Sequence, residues 1–349
     1  MWSNNESASY QLRELDVQIT NRCPLNCRHC CCESGAAQHP GVSTEALLSL
    51  FREAKDMGVE AVHLTGGEPL LRDDLPQLVQ ALHDLSLDVE IQSSWIDHPN
   101  LQARFPTNAS TDVAVISLDG LQECHDYYRG QGSFARVTDR LHSLVAEGRR
   151  VRVNTILTRR SLVDVAPLLK YTGQAGVETH AIFYFSPIGR GRKIVAEWLP
   201  PVEMVAATNE LLQIIADERA VLPPTIYLQP GYRIINDRKA APLRCRMLPR
   251  DFLFVLSDGR AVPCSWYIEA GISCGNAFEE GLSAVYKQFL EFVGEAAARL
   301  AACRDCQNYF KCLGGCDAAR LLANAACDPR CCSPEIFFPG CPERKVTVK

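Results

Sequence analysis

The chain is expected to fold as an α/β protein, a parallel sheet either flat or curved into a barrel, followed by a small cysteine-rich appendage. Two observations lead there. Between about residues 14 and 186, short β-rich runs alternate with helical stretches, the pattern of parallel strands joined by crossover helices. Beyond about residue 242 that rhythm stops and cysteines accumulate. Of 17 cysteines, five lie at 23–32, one at 124 and eleven between 245 and 341.

Expected strands, in order, are "ELDVQIT" (14–20), "AVHLTG" (61–66), "LDVEIQ" (87–92), "DVAVISLDG" (112–120), "VRVNTIL" (151–157) and "THAIFYFS" (179–186). Helical patterns fall around 43–57, 73–84, 133–147 and 161–175, with Ser43 and Ser161 as N-caps. Six strands are too few for a closed eightfold barrel, and periodicity does not choose between an open partial barrel and a doubly wound sheet. "SPIGRGRKIVAEWLP" (186–200) marks a change, 201–218 reads as one more helix, and "VLPP" (221–224) opens a linker. A hairpin follows in "FLFVLSDGRAVPC" (252–264), turning at Asp258-Gly259, and then a helix near 281–297 and cysteine-rich loops. The expected organisation is an arm (1–13), an α/β core (14–220), a linker (221–241) and a cysteine-rich domain (242–349).

Composition excludes several classes. The 349 residues are 47% hydrophobic, enough for a sizeable core. A net charge of −5 gives no electrostatic footprint for nucleic acid or anionic membrane. No apolar run approaches the roughly 18 residues that suggest a membrane span. "MWSNNESASYQLRELD" lacks a signal-peptide pattern, so the expected location is the cytoplasm. There an odd number of cysteines points to metal-bound thiolates rather than disulfides.

The stretch "NRCPLNCRHCCCESG" (21–35) carries Cys23-x3-Cys27-x2-Cys30 directly after the first strand. The register is unique, because starting at Cys27 would need a cysteine where Ser34 stands. A loop leaving the C-terminal end of a barrel strand is where active sites are built. Three thiolates on a 4Fe–4S cluster leave one iron open for a substrate. Zinc would need a fourth ligand. Cys31 and Cys32 read as small residues packing under the loop, with a role in catalysis or in a second cluster as the alternative.

With these motifs the chain resembles the radical S-adenosylmethionine (SAM) superfamily. "LTGGEPLL" follows the second strand, and the resemblance gives Gly66, Gly67, Glu68 and Pro69 the binding of the SAM amino group. "SLDG" (117–120) ends the fourth strand, where the family contacts the ribose, implying Ser117 and Asp119. "HDYYRGQGSF" (125–134) and "SPIGRGR" (186–192) also look like family segments; the second places Ser186 and Arg190 among the cofactor-binding residues, while Asp126 and Arg129 would organise a loop. The implied fold is a partial (β/α)6 TIM-type barrel. The implied chemistry is reductive cleavage of SAM to a 5′-deoxyadenosyl radical, which abstracts hydrogen from a substrate. The electron donor would be a flavodoxin or ferredoxin. An aromatic residue usually follows the third cysteine in the family, so Cys31 is a departure.

The C-terminal run Cys303-x2-Cys306-x5-Cys312-x3-Cys316, with Cys245 and Cys264 before it and Cys331 and Cys332 after, resembles the SPASM domain. That resemblance implies two auxiliary 4Fe–4S clusters, three in all with the first. Cys245, Cys264 and Cys316 would hold the proximal one, completed by Cys274, left open, or closed by another ligand. Cys303, Cys306, Cys312 and Cys331 would hold the distal one, with Cys332 as the adjacent alternative. Cys327 and Cys341 read as loop thiols.

The expected reaction is an oxidative modification, dehydrogenation or crosslinking, in peptide (RiPP-type) or natural-product maturation. One alternative is a radical epimerase or dehydrogenase of a small sugar or aminocyclitol. In an epimerase, a thiol would return hydrogen, Cys124 in the loop after "SLDG" or Cys274. Another alternative, from a different class, is a non-catalytic iron–sulfur electron carrier, against which the intact GGEP argues. Only some thirteen residues precede the first strand, so a fused leader-binding domain is not expected. His63, inside a strand, reads as a core or supporting residue.

Overall fold

The computed structural model describes residues 11–36, 41–95, 112–199, 201–229, 232–235, 238–239 and 250–300. The alternation becomes β1 (Glu14–Thr20), α1 (Thr44–Asp56), β2 (Ala61–Gly66), α2 (Leu75–Asp84), β3 (Asp88–Ser93) and β4 (Val113–Ser117). It continues through α3 (Gln122–Arg129), α4 (Ser133–Ala146), β5 (Arg150–Leu157), α5 (Val165–Gln174), β6 (Thr179–Tyr184) and α6 (Pro201–Asp217). β1 to β6 pair in order, each parallel to the next, and form a partial barrel.

Two strands extend this arrangement beyond the expected six. β7 (Thr225–Gln229), inside the stretch expected to be a linker, pairs parallel with β6. β10 (Phe252–Val255), from the expected hairpin, pairs parallel with β1, Glu14 opposite Phe252 and Val17 opposite Val255. Eight parallel strands therefore run from β10 to β7 among the described residues. The sheet stays open because antiparallel strands cover both edges: β11 (Ala261–Val262) beside β10, and β8 (Tyr232–Ile235) with β9 (Arg238–Lys239) beside β7. Short helices α7 (Ser265–Glu269) and α8 (Ala277–Glu280) and the longer α9 (Leu282–Leu300) follow.

Strand alternation divides the sheet into two chemically different faces. Leu15, Val17 and Ile19 of β1, Val62 and Leu64 of β2, and Val89 and Ile91 of β3 join one apolar core. Leu47, Leu50, Phe51 and Ala54 of α1 complete it, as do Leu75, Leu78, Val79 and Leu82 of α2, at helical spacing. The alternate positions face the barrel interior and are polar on four strands, Asp16 and Gln18, His63 and Thr65, Glu90 and Gln92, Arg152 and Asn154, while β4 and β6 contribute the apolar Val113, Val115, Ala181 and Phe183. The core thus lies outside the barrel, between strands and helices, and leaves a lumen with polar walls on β1, β2, β3 and β5.

Ser43 caps α1, its hydroxyl accepting from the Ala46 amide at 3.2 Å. Ser161 does not cap as expected. A 3₁₀ turn spans Ser161–Asp164 before α5 begins at Val165, and the Ser161 hydroxyl instead accepts from the Thr158 amide at 2.8 Å. "HDYY" is helical within α3 rather than a loop.

Candidate active site

The cysteine loop leaves β1 at its C-terminal end and is closed at the neck. The Cys23 amide donates to the Gly35 carbonyl at 3.1 Å, and the Gly35 amide to the Asn21 carbonyl at 3.3 Å. Arg190 clamps the loop from the far side of the barrel mouth. Its amide donates to the Cys30 carbonyl at 3.0 Å, Nε to the Cys27 carbonyl at 2.8 Å and Nη1 to the Ser34 carbonyl at 2.7 Å. Three contacts from one residue fix the backbone that carries Cys27 and Cys30. The neighbouring Gly189 sits at φ +55, where a Cβ would lie 2.5–2.6 Å from the Cys31 and Cys30 carbonyl oxygens, so only glycine fits. Arg190, expected to bind cofactor, thus directs two of its guanidinium nitrogens to the loop, while Ser186 lies at the same mouth just after β6.

The GGEP turn presses against this loop. Gly67 donates to the Thr20 carbonyl at 2.7 Å and Glu68 to the Arg22 carbonyl at 2.8 Å. Pro69 opens a 3₁₀ turn. The buried Glu68 carboxylate accepts from Ser93 Oγ at 2.7 Å, the Ser94 amide at 3.0 Å, Ser94 Oγ and the Leu70 amide at 3.2 Å. Burial pushes its pKa up, against the pull of the two serines. The side chain that sequence reasoning gave to the cofactor therefore ties the turn to the end of β3, leaving the backbone of Gly66 and Gly67 at the site.

Cys23, Cys27 and Cys30 are unpaired thiols. Burial is the main force raising their pKa, to about 12 for Cys23, and the thiols also oppose one another's ionisation. Arg129 and Arg190 favour the Cys27 thiolate. His29, in the same loop, has its buried Nδ1 without a hydrogen-bond partner among the described residues, an unmet polar atom of the kind a bound group satisfies. Among the described residues no three Cys, His, Asp or Glu side chains converge as a single ion requires. A 4Fe–4S cluster seats each thiolate on a different iron, so its three cysteines need not meet at one point. The donor set fits the cluster.

Behind Cys27 lies a buried charged group that sequence reasoning assigned differently. Asp119, expected at the ribose, is fully buried. Its Oδ2 accepts from Arg129 Nε at 2.5 Å and lies 3.1 Å from His29 Nε2, and its Oδ1 accepts from the Ile156 amide at 2.8 Å. Burial alone would raise its pKa, but Arg129 and His29 hold it well below the usual carboxylate range. Ser117, the other expected ribose contact, is buried at the end of β4. Arg129 was legible only as part of a family segment and His29 not at all, although its place between Cys27 and Cys30 was a signal.

A family model for the radical SAM superfamily matches residues 17–164, and one for the SPASM iron–sulfur cluster-binding domain matches 245–307. This is a radical SAM protein with a C-terminal SPASM domain. It is 27% identical over 326 residues to the mycofactocin maturase MftC of Mycobacterium ulcerans, covering 91% of this chain and 87% of that protein. It is 25% identical over 325 residues to the PqqA peptide cyclase of Streptomyces rochei, covering 90% and 88%. Its fold is similar to that of Streptococcus suis SuiB bound to the precursor peptide SuiA, with a TM-score of 0.76, 17% identity and coverage of 92% of this chain and 76% of that one.

The other cysteines of this radical SAM protein are placed less like active groups. Cys124 lies on α3, not in a loop, and is buried with its S–H donating to the Asp119 carbonyl at 3.3 Å. Burial pushes its thiol up to about 12. Cys274 is buried in the apolar core near the hairpin, its pKa pushed up to about 12 by burial alone, and half-buried Cys264 packs against the same core. Cys31 and Cys32 pack together under the loop, Sγ to Sγ 3.7 Å. Cys245, Cys303, Cys306, Cys312, Cys316, Cys327, Cys331, Cys332 and Cys341 lie outside the described residues.

Below the thiols, the lumen carries a chain of charges. Asp16 Oδ1 lies 2.6 Å from His63 Nδ1, His63 Nε2 is 3.7 Å from Glu90 Oε2, and Arg152 bridges Glu90 at 2.7 Å and Asn154 Oδ1 at 3.1 Å. The His63 pKa, lowered by burial, is raised overall by Asp16 and Glu90. His63 is therefore a lumen residue, not part of the apolar core. No described helix is long and apolar enough to cross a membrane.

Proposed function

We propose that this radical SAM enzyme oxidatively modifies a peptide, removing hydrogen from a residue held in the barrel lumen, in the maturation of a peptide-derived product. The observation that carries the reading is the placement of Cys23, Cys27 and Cys30 at the mouth of a lumen lined by hydrogen-bonding side chains. A 4Fe–4S cluster with bound SAM supplies, when present, the radical that abstracts hydrogen. The chain's own residues do the rest. Arg190 and the GGEP turn fix the loop, the polar inner strand faces hold the substrate by hydrogen bonds, and the SPASM domain would hold two auxiliary clusters that accept the second electron.

The relatives support a peptide substrate, since one is by name a PqqA peptide cyclase and SuiB is bound to a precursor peptide. Oxidation is favoured over epimerisation by the thiols. Cys124 is bonded to a backbone carbonyl and Cys274 is enclosed by apolar side chains, so neither described candidate faces the lumen as a hydrogen donor. The test is turnover of candidate peptides, with aminocyclitols alongside, in deuterated water. A peptide product lighter by two hydrogens, formed with one SAM each and no carbon-bound deuterium, supports the reading. An unoxidised product carrying deuterium at carbon overturns it.

A further inference from the structure

Arg129 stands at the end of α3, where its guanidinium is nearly buried, with 13% of the side chain exposed. Asp119 fixes Nε at 2.5 Å, Nη2 lies 3.4 Å from His29 Nε2, and Nη1 reaches to 4.0 Å from Cys27 Sγ. The charge is thus aimed. Its negative partner is held behind it by the Ile156 amide, and its positive end faces the sulfur. Nothing about the α3 fold requires this: Gly130 and Asp126 already close the helix, the Gly130 amide donating to the Asp126 carbonyl at 2.9 Å and the Asp126 carboxylate receiving the Gly132 and Phe134 amides.

We propose that Arg129, held by Asp119, sets the reduction potential of the SAM-binding cluster by placing a fixed positive charge beside the Cys27 thiolate. The inference rests on the cluster reading given above. Reduction adds one negative charge to the cluster, and a nearby cation in a low-dielectric interior stabilises the more negative state. A guanidinium is the suitable group, since it stays charged when buried and its fork meets a carboxylate and a sulfur at once. Arg129 is a positioning and tuning residue rather than one that touches the substrate.

The experiment is a potentiometric titration of the reconstituted full chain, followed by electron paramagnetic resonance. The SAM-binding cluster is recognised as the signal that changes when SAM is added. Arg129→Gln should lower its midpoint potential, corresponding to a roughly tenfold loss in the equilibrium constant for reduction, or about 59 mV for one electron. Arg129→Lys, which keeps the charge, should recover most of that loss, and the SAM-independent signals should not move. If Arg129→Gln does not retain its iron, Asp119→Asn takes its place; removing the opposing charge should raise the potential. An unchanged potential in Arg129→Gln at full iron content, or an unchanged or lowered one in Asp119→Asn, overturns the proposal. If the wild-type protein shows cluster signals but none responds to SAM, the cluster reading fails, and this inference with it.

Discussion

Replacing Gly67 by alanine should detach the cysteine loop from β2. A Cβ at this position would collide with the Arg22 carbonyl oxygen and lie 2.6 Å from the Arg22 carbonyl carbon and 2.9 Å from Cys23 Cβ. Two of these obstacles are backbone, so no rotamer change relieves them. The turn or the loop must retreat by on the order of 1 Å to reach ordinary contact. That movement stretches the Gly67-to-Thr20 and Glu68-to-Arg22 hydrogen bonds, 2.7 and 2.8 Å long. Overpacking of this kind costs about 1–3 kcal/mol and two backbone hydrogen bonds add about 1–3 more, roughly 2–6 kcal/mol together. At about 2 °C per kcal/mol for a chain of this size, the melting temperature should fall by roughly 4–12 °C. The assay is thermal unfolding of the metal-free protein, followed by iron analysis after reconstitution. Gly35→Ala is the control, because the same loop leaves its Cβ position with nothing within 4 Å. If Gly67→Ala melted with Gly35→Ala and loaded as much iron, the GGEP turn would not brace the cysteine loop.

Two further outcomes follow from buried groups. Arg190→Ala removes the side-chain clamps on the Cys27 and Ser34 carbonyls, at about 1 kcal/mol for each hydrogen bond. It should lower iron retention on dilution while far-ultraviolet circular dichroism stays native; full retention would contradict the clamp. His180, fully buried between Thr155 Oγ1 and Thr172 Oγ1 at 2.9 Å each, has its pKa pushed down to about 3 by burial. Between pH 6.5 and 3 the unfolded chain binds this proton and the folded chain does not, so stability falls as pH falls, by about 1.4 kcal/mol per unit. His180→Asn should flatten that slope in denaturant titrations between pH 6.5 and 4.5, and an unchanged slope would refute the assignment.

Much of the barrel was legible because its signals are local. β1 and β2 match their expected bounds, since alternating apolar residues and a terminal polar or glycine residue mark both strands. β7 was hidden by Pro223 and Pro224, which read as a linker but precede the strand without breaking it. The parallel pairing of β10 with β1 is a contact between Glu14 and Phe252, and no local pattern announces it. At the site, the three-cysteine motif and GGEP were readable as spacing. The directions of side chains were not. Glu68 turns to Ser93 and Ser94, and Asp119 to Arg129, because burial of a carboxylate demands the nearest donors. Arg190 takes carbonyls 156 and 163 residues away, which only the curvature of the folded sheet brings within reach.

Cys23, Cys27 and Cys30 are proposed to hold a cluster that cleaves SAM. Anaerobically reconstituted and reduced protein, given SAM without substrate, should form 5′-deoxyadenosine and carry about twelve irons from three clusters of four. The variant with all three cysteines changed to alanine should keep its secondary structure, lose about four irons and form no 5′-deoxyadenosine. Cleavage that persists in that variant, or a wild-type protein that takes up zinc in place of iron, would contradict the account.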